Sequence, residues 1–170
     1  MKSAFIEPEV FEHVLFALTS ENALVCRVCL KTGLRVGDVV SLKTETIRQG
    51  IDNKYKIKVT EQKTKKKKTV TLGKDLTEKL LIQSGSVYVF QGRSGADTHR
   101  TRQTVYKDLK RAGKLFRLKE NLTPHTTRKI YAVELYRKYG NIKKVQHALN
   151  HNNDVVTMIY ALADKIQAKK

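Results

Sequence analysis

Between Thr123 and Tyr160 the chain sets out the groups that a phosphate-transfer site needs. Thr123 can cap a helix with Pro124 at its first position, which places His125 and Arg128 three residues apart on one face of the opening turns. Both side chains then reach one small ligand. The free amides and positive dipole end of a helix start favour an anion, so the pattern predicts a phosphate site. A tyrosine near a bound phosphate is a potential nucleophile, and Tyr160 follows His151 by nine residues.

Each group also has a simpler reading. Tyr160 stands between Ile159 and Ala161, the setting of a core or rim tyrosine with a satisfied hydroxyl. His147 and His151 are four apart and suggest a zinc pair, but no glutamate lies between them and Asn150 interrupts the helix. No metal and no cofactor is therefore expected. Cys26 and Cys29 form a C-x-x-C pair inside an apolar helical pattern with Leu24, Val25, Val28 and Leu30, without the preceding strand of a thioredoxin-like motif. They are read as reduced core thiols.

The elements that must position these groups can be followed in order. Pro8 to Leu18 has helical spacing, and Ser20 or Asn22 caps a second helix that runs through Lys31 and stops at Gly33. Arg35 to Leu42 forms a short third helix. From Thr44 to Leu72 the pattern turns to alternation, with Tyr55, Ile57 and Val59 opposed to Lys54, Lys56 and Lys58, which predicts a small antiparallel sheet. Its second turn falls around Lys63 to Lys67, with Thr69 to Leu72 as the last strand, and the exposed lysines there protect a hairpin edge. Asp75 to Ile82 reads as a helix, Val87 to Phe90 as a short apolar segment, and Gln91 to Ala96 as a connector without the G-K-[ST] ending of a P-loop. Helices follow over Thr98 to Leu115, from Thr123 through Tyr139, over Ile142 to Leu149, and from Asp154 onward. With no internal repeat or low-complexity linker, the chain reads as one α+β domain, mostly helical, with a small antiparallel β-sheet.

Composition narrows the partner. The 170 residues carry 40% apolar residues and a formal charge of +18, far beyond what solubility needs. Nucleic acid is the usual cause of such a surplus. No apolar run of about 18 residues and no amphipathic basic anchor is present, so no membrane role is expected. Met1 to Ala4 lead into no signal-type segment, which predicts a cytoplasmic protein.

These residues resemble the catalytic domain of the tyrosine recombinases, the phage-integrase type of site-specific recombinase. Four ordered blocks carry the resemblance: Thr32-Gly33-Leu34-Arg35-Val36-Gly37-Asp38; Gln62-Lys63-Thr64 followed by Val70-Thr71-Leu72; Thr123-Pro124-His125-Thr126-Thr127-Arg128; and Leu149-Asn150-His151 with Tyr160. They are similar to the family's first-arginine box, hairpin-lysine box, H-x-x-R box, and L-G-H box with nucleophile. The resemblance implies that Arg35, Lys63, His125, Arg128, His151 and Tyr160 form the active site. Tyr160 would attack a DNA phosphodiester and hold the strand as a 3′-phosphotyrosine, with no ATP or metal required. Arg35 and Arg128 would bind the non-bridging oxygens, His125 assist the tyrosine or an oxygen, Lys63 protonate the departing 5′ oxygen, and His151 add a donor.

The resemblance further implies double-stranded DNA as partner and four protomers assembled on two sites, with a monomer when free. Three departures from the family pattern fall at four positions. Asn150 replaces the usual glycine, although asparagine tolerates a left-handed backbone. Asp38 stands for the common glutamate, and Thr126-Thr127 for a common Asp-Leu pair, so the support behind Arg35 and His125 is expected to differ. Residues 1–170 are read as the catalytic domain, with no separate amino-terminal core-binding domain, as a natural single-domain enzyme or an excised domain. The alternatives are a DNA-binding accessory protein on the same fold and a type IB topoisomerase-like strand transferase.

Overall fold

The computed structural model describes residues 5–150 together with 157 and 159. Helix α1 (Pro8–Phe16) starts with proline at its first position and turns Phe11, Val14 and Leu15 inward. Helix α2 (Ser20–Thr32) is capped by Thr19, whose side chain accepts from Asn22 N, and it ends at Gly33 in the left-handed conformation, φ 65°. A Cβ on Gly33 would stand 2.5 Å from the Tyr131 ring, so both backbone and space require glycine there. The short α3 (Val36–Val40) follows, with Asp38, Val39 and Val40 buried.

The expected strand beginning at Thr44 is instead helix α4 (Thr44–Asp52). Its inward residues Thr44, Ile47 and Gly50 recur every three positions, and Gln49 Nε2 donates to Glu45 Oε1 at 3.0 Å one turn back. The alternation that predicts the sheet lies at Lys54 to Val59 and does not extend back to Thr44, where burial of one helical stripe prevails. Gly50 lets α4 close on the sheet, since a Cβ there would stand 2.7 Å from Ile57.

Only two strands then remain in the basic hairpin, β1 (Lys56–Thr60) and β2 (Lys67–Thr71), paired antiparallel with Ile57 opposite Val70 and Val59 opposite Lys68. Directly opposed residues share a face. Ile57, Val59 and Val70 are buried in the core, and Lys68 is carried inward with them. Lys67 and Lys68 thus belong to the strand, and the turn lies over residues 61–66.

Helix α5 (Lys74–Gln83) lies where expected, and Tyr88 bridges to Lys43. The predicted connector is a second hairpin, β3 (Gln91–Gly92) with β4 (Gly95–His99). Gly95 at φ 121° supplies its turn. Helix α6 (Arg102–Leu115) begins after its cap Thr101, four residues later than the sequence pattern suggested. Asp108 on α6 accepts from Thr19 N at 2.9 Å and Asn22 Nδ2 at 2.8 Å, which locks α6 to the start of α2. Helices α7 (Pro124–Tyr139) and α8 (Ile142–Ala148) complete the described elements, and the segment expected to be helical from Asp154 lies outside the described residues except for Thr157 and Ile159, both helical.

Two apolar clusters hold these elements. The larger runs from Phe11 through α2, the basic hairpin and α6 to Ile130, while the smaller gathers Ala132, Val133 and Tyr136 of α7 with Val145, Leu149 and Ile159. The architecture is mostly helical with small antiparallel sheets, as the sequence predicted. Cys26 and Cys29 are free and buried in the larger cluster, and burial pushes both thiols up, Cys29 to about 12. Among the described residues no helix is long and apolar enough to cross a membrane.

Candidate active site

The start of α7 is built as its sequence demands. Thr123 accepts from His125 N, and Thr126 Oγ1 accepts in return from Thr123 N at 3.2 Å, a reciprocal cap that fixes the first turn. The Thr126-Thr127 pair therefore serves the helix end, with Thr127 Oγ1 donating to Pro124 O at 2.8 Å. His125 stands exposed on this turn. Partial desolvation first, then the charges of Arg128, Arg35, Lys129 and Lys63, hold its pKa below the usual imidazole value. The neutral ring that results can accept a proton at neutral pH.

Arg128 is 1% exposed, and its guanidinium crosses the core to donate to Gly33 O and, at 3.3 Å, to Leu149 O. Among the described residues its Nε has no hydrogen-bond partner. Burial, then repulsion from Arg35, bring its pKa down to about 10, so it stays charged at neutral pH.

Arg35 precedes α3 and is held by Glu61, with Nη1 2.9 Å from Oε2. Glu61 is fully buried at the start of the hairpin turn and also accepts from Thr64 Oγ1 at 2.7 Å. Burial would raise its pKa, yet the hydrogen bond from Thr64, the nearby Asn150 amide and the charge of Arg35 hold it below the ordinary carboxylate value. Asp38 does not pair with Arg35. Its Oδ1 accepts from Gln62 N at 2.8 Å, tying α3 to the turn that carries Lys63. Lys63 is exposed at that turn, within electrostatic reach of His125.

Asn150 follows the α8 cap residue Leu149 with φ 50°, the left-handed conformation expected of it in place of glycine. Its Nδ2 and Glu61 Oε1 are a buried donor and acceptor, each without a partner at bonding geometry among the described residues, on side chains that influence one another. The structure thus brings four sequence-predicted residues, Arg35, Lys63, His125 and Arg128, into one electrostatically coupled cluster. His151 and Tyr160 lie outside the described residues. Ile159, immediately before Tyr160, is buried in the small α7–α8 cluster.

Two site residues were missed in the sequence. Nothing in the sequence singles out Glu61, and Lys68 sits within the lysine run. Lys68 Nζ donates to Thr32 O at 2.9 Å and Ala148 O at 2.7 Å, and burial, then the charge of Arg128, lower its pKa to about 8. Its signal was its parity, since it lies two residues from the apolar Val70 and so faces the same way. Arg35, Lys63, Lys68 and Arg128 outnumber the carboxylates Glu61 and Asp38, so the cluster favours an anion. Among the described residues, no group of three or more His, Cys, Asp or Glu side chains is placed to hold a metal.

A mostly helical domain with a basic hairpin, two buried or half-buried arginines and a capped His-x-x-Arg turn defines an integrase-type catalytic domain. The phage integrase family matches residues 5–166, and the chain belongs to that family. A tyrosine recombinase of Thermosipho africanus is 28% identical over 164 residues, covering 92% of this chain and 56% of that protein. Tyrosine recombinase XerD of Staphylococcus epidermidis is 27% identical over 170 residues, covering 90% and 55%. The chain thus spans about half the length of the curated relatives it matches. Among solved structures, the XerH site-specific recombinase bound to difH substrate in a post-cleavage complex superposes with TM-score 0.74 at 23% identity, covering 98% of this chain and 52% of that one. The catalytic domain of bacteriophage HP1 integrase superposes with TM-score 0.62 at 23% identity, covering 94% and 88%.

Proposed function

We propose that this chain cuts and rejoins double-stranded DNA as a site-specific recombinase, through a 3′-phosphotyrosyl bond to Tyr160. The observation that carries the reading is the convergence of Arg35, Arg128, His125 and Lys63 on one electrostatically coupled, anion-favouring cluster. In the reaction, Tyr160 Oη forms a bond to phosphorus as the bond to the 5′ oxygen breaks. His125, neutral among cations, takes the tyrosine proton, and Lys63 at the hairpin tip delivers one to the departing 5′ oxygen. Arg35 and Arg128 stabilise charge on the non-bridging oxygens, with His151 as a further donor. Rejoining runs the same steps backward.

Structural relatives in solved complexes include a lambda integrase tetramer bound to a Holliday junction. By analogy, DNA and further copies of this chain are its partners, with a tetramer on DNA, a monomer when free, and the cytoplasm as its compartment. The test is Tyr160→Phe. The covalent protein–DNA adduct should disappear while DNA affinity stays nearly constant, because basic residues supply binding and the hydroxyl supplies the bond. An undiminished adduct would remove Tyr160 from its role. Activity on single supercoiled circles without recombination of paired sites would assign the chain to relaxation instead.

A further inference from the structure

Two cations join the same two helix ends. Lys68 donates to Thr32 O and Ala148 O, at 2.9 and 2.7 Å, while Arg128 donates to Gly33 O and Leu149 O. Thr32 and Gly33 close α2, and Ala148 and Leu149 close α8. The acceptors are therefore two consecutive pairs of carbonyls at two helix C-termini. Such carbonyls lack partners within the helix and sit at the negative end of the dipole, which suits a cation. The chain leaving the first end reaches Arg35 within two residues of Gly33, and the chain leaving the second reaches His151 within two residues of Leu149.

Lys68 stands on the strand that returns from the Lys63 turn. We infer that Lys68 is a positioning residue for strand cleavage, clamping the ends of α2 and α8 to the catalytic hairpin so that Arg35, Lys63 and the chain entering His151 keep their spacing. This rests on the recombinase reading above. Lys68 is not itself placed as the leaving-group acid, because two of its three N–H bonds are committed to backbone carbonyls and the Tyr131 ring centre lies 5.8 Å from its nitrogen.

The experiment compares single-turnover adduct formation and DNA affinity in Lys68→Met, Lys68→Arg and Lys63→Ala. Lys68→Met keeps an unbranched apolar stem and loses every donor. Its cleavage rate at saturating DNA should fall roughly 10- to 100-fold, as for a misplaced catalytic group, with DNA affinity close to wild type and a lowered melting temperature, since two helix-end carbonyls lose their donor. Lys68→Arg, which can still reach both carbonyls, should recover most of that rate. A substrate with sulfur at the bridging 5′ position should rescue Lys63→Ala and leave Lys68→Met slow. Wild-type cleavage by Lys68→Met, or sulfur rescue of that variant, would overturn the inference.

If the methionine variant fails to fold, nitrogen-15 NMR of the wild-type chain decides. Ammonium protons of Lys68 clamped by two carbonyls should exchange slowly enough to be observed below neutral pH, and exchange as fast as that of the surface lysines would overturn the clamp. A wild-type chain that forms no adduct at all would defeat the recombinase reading, and the NMR signal would still report on the clamp itself.

Discussion

Arg35 is gripped by a carboxylate that solvent does not reach: its Nη1 lies 2.9 Å from Oε2 of Glu61, a side chain 0% exposed. The pairing fixes one nitrogen of the guanidinium and leaves the others to bind an anion. Glu61→Gln removes the charge, so Arg35 loses both its anchor and its counter-ion. Unfolding in urea should show a loss of about 1.5–3 kcal/mol, the range for hydrogen bonds to charged groups. The pH dependence carries a sign. Because Glu61 has a lowered pKa in the fold, its contribution is complete above the ordinary value of 4.5 and disappears as pH falls through the folded value. That part of the acid destabilisation should be missing in the Gln variant.

Arg128→Lys should harm both stability and cleavage. A lysine offers one charged nitrogen where the guanidinium spans Gly33 O and Leu149 O, and each carbonyl left unpaired in the core costs about 1–3 kcal/mol. Thermal unfolding and adduct yield measured on the same preparation check this, and a Lys variant with wild-type melting would contradict the bridging role.

Lys63→Ala should slow cleavage by about 10² to 10⁴-fold if the turn supplies the leaving-group proton. Alanine at Lys65, Lys66 or Lys67, all exposed, should reduce mainly DNA affinity. Bridging 5′ sulfur needs no protonation, so it should restore the Lys63 variant and not Arg35→Ala or Arg128→Ala. Rescue at Lys65 to Lys67 instead would move the acid along the turn.

Lys68 ties stability to alkaline pH. Its pKa drops from 10.5 to about 8 on folding, from burial and then from Arg128 and Arg35, against the opposing pull of Glu61 and Asp38. Between these values the unfolded chain binds the extra proton, so the Lys68 contribution to stability rises with pH through this window and is lost as pH falls through about 8. Unfolding free energies of wild type and Lys68→Met, compared from pH 7 to 10.5, should move in favour of wild type. A constant difference would mean that Lys68 is not held as a depressed cation.

What the sequence made legible was mostly local. Thr123, Pro124 and Thr126 write the start of α7 into adjacent positions, and Gly33 marks the end of α2 by its own backbone preference. Asn150 adopts the left-handed turn for the same reason. The helix at Thr44 was hidden because the alternation of Lys54 to Val59 does not mark where the sheet begins, and only the packing of Ile47 and Gly50 against the hairpin settles the matter. Glu61 and Lys68 were obscured for another reason. Their roles depend on partners distant in sequence, Arg35 for one and the ends of two helices for the other, and a run of like charges carries no mark of which member turns inward.

The division of the apolar interior also sets an order of opening. Ile159 is anchored to Val145, Leu149 and the second half of α7, in a cluster separate from the one that holds α1 to α6 together. Few buried contacts mean a low free energy of sub-global unfolding. α8 and its surroundings should therefore behave as a separate cooperative unit, whose amides exchange with solvent while those of α2 and α6 remain protected. Release of Ile159 from such a unit would also break the Lys68–Ala148 and Arg128–Leu149 hydrogen bonds, so the anchoring of the residue next to Tyr160 and the hold on Arg128 rise and fall together, while the Arg35–Glu61 bond lies outside the unit.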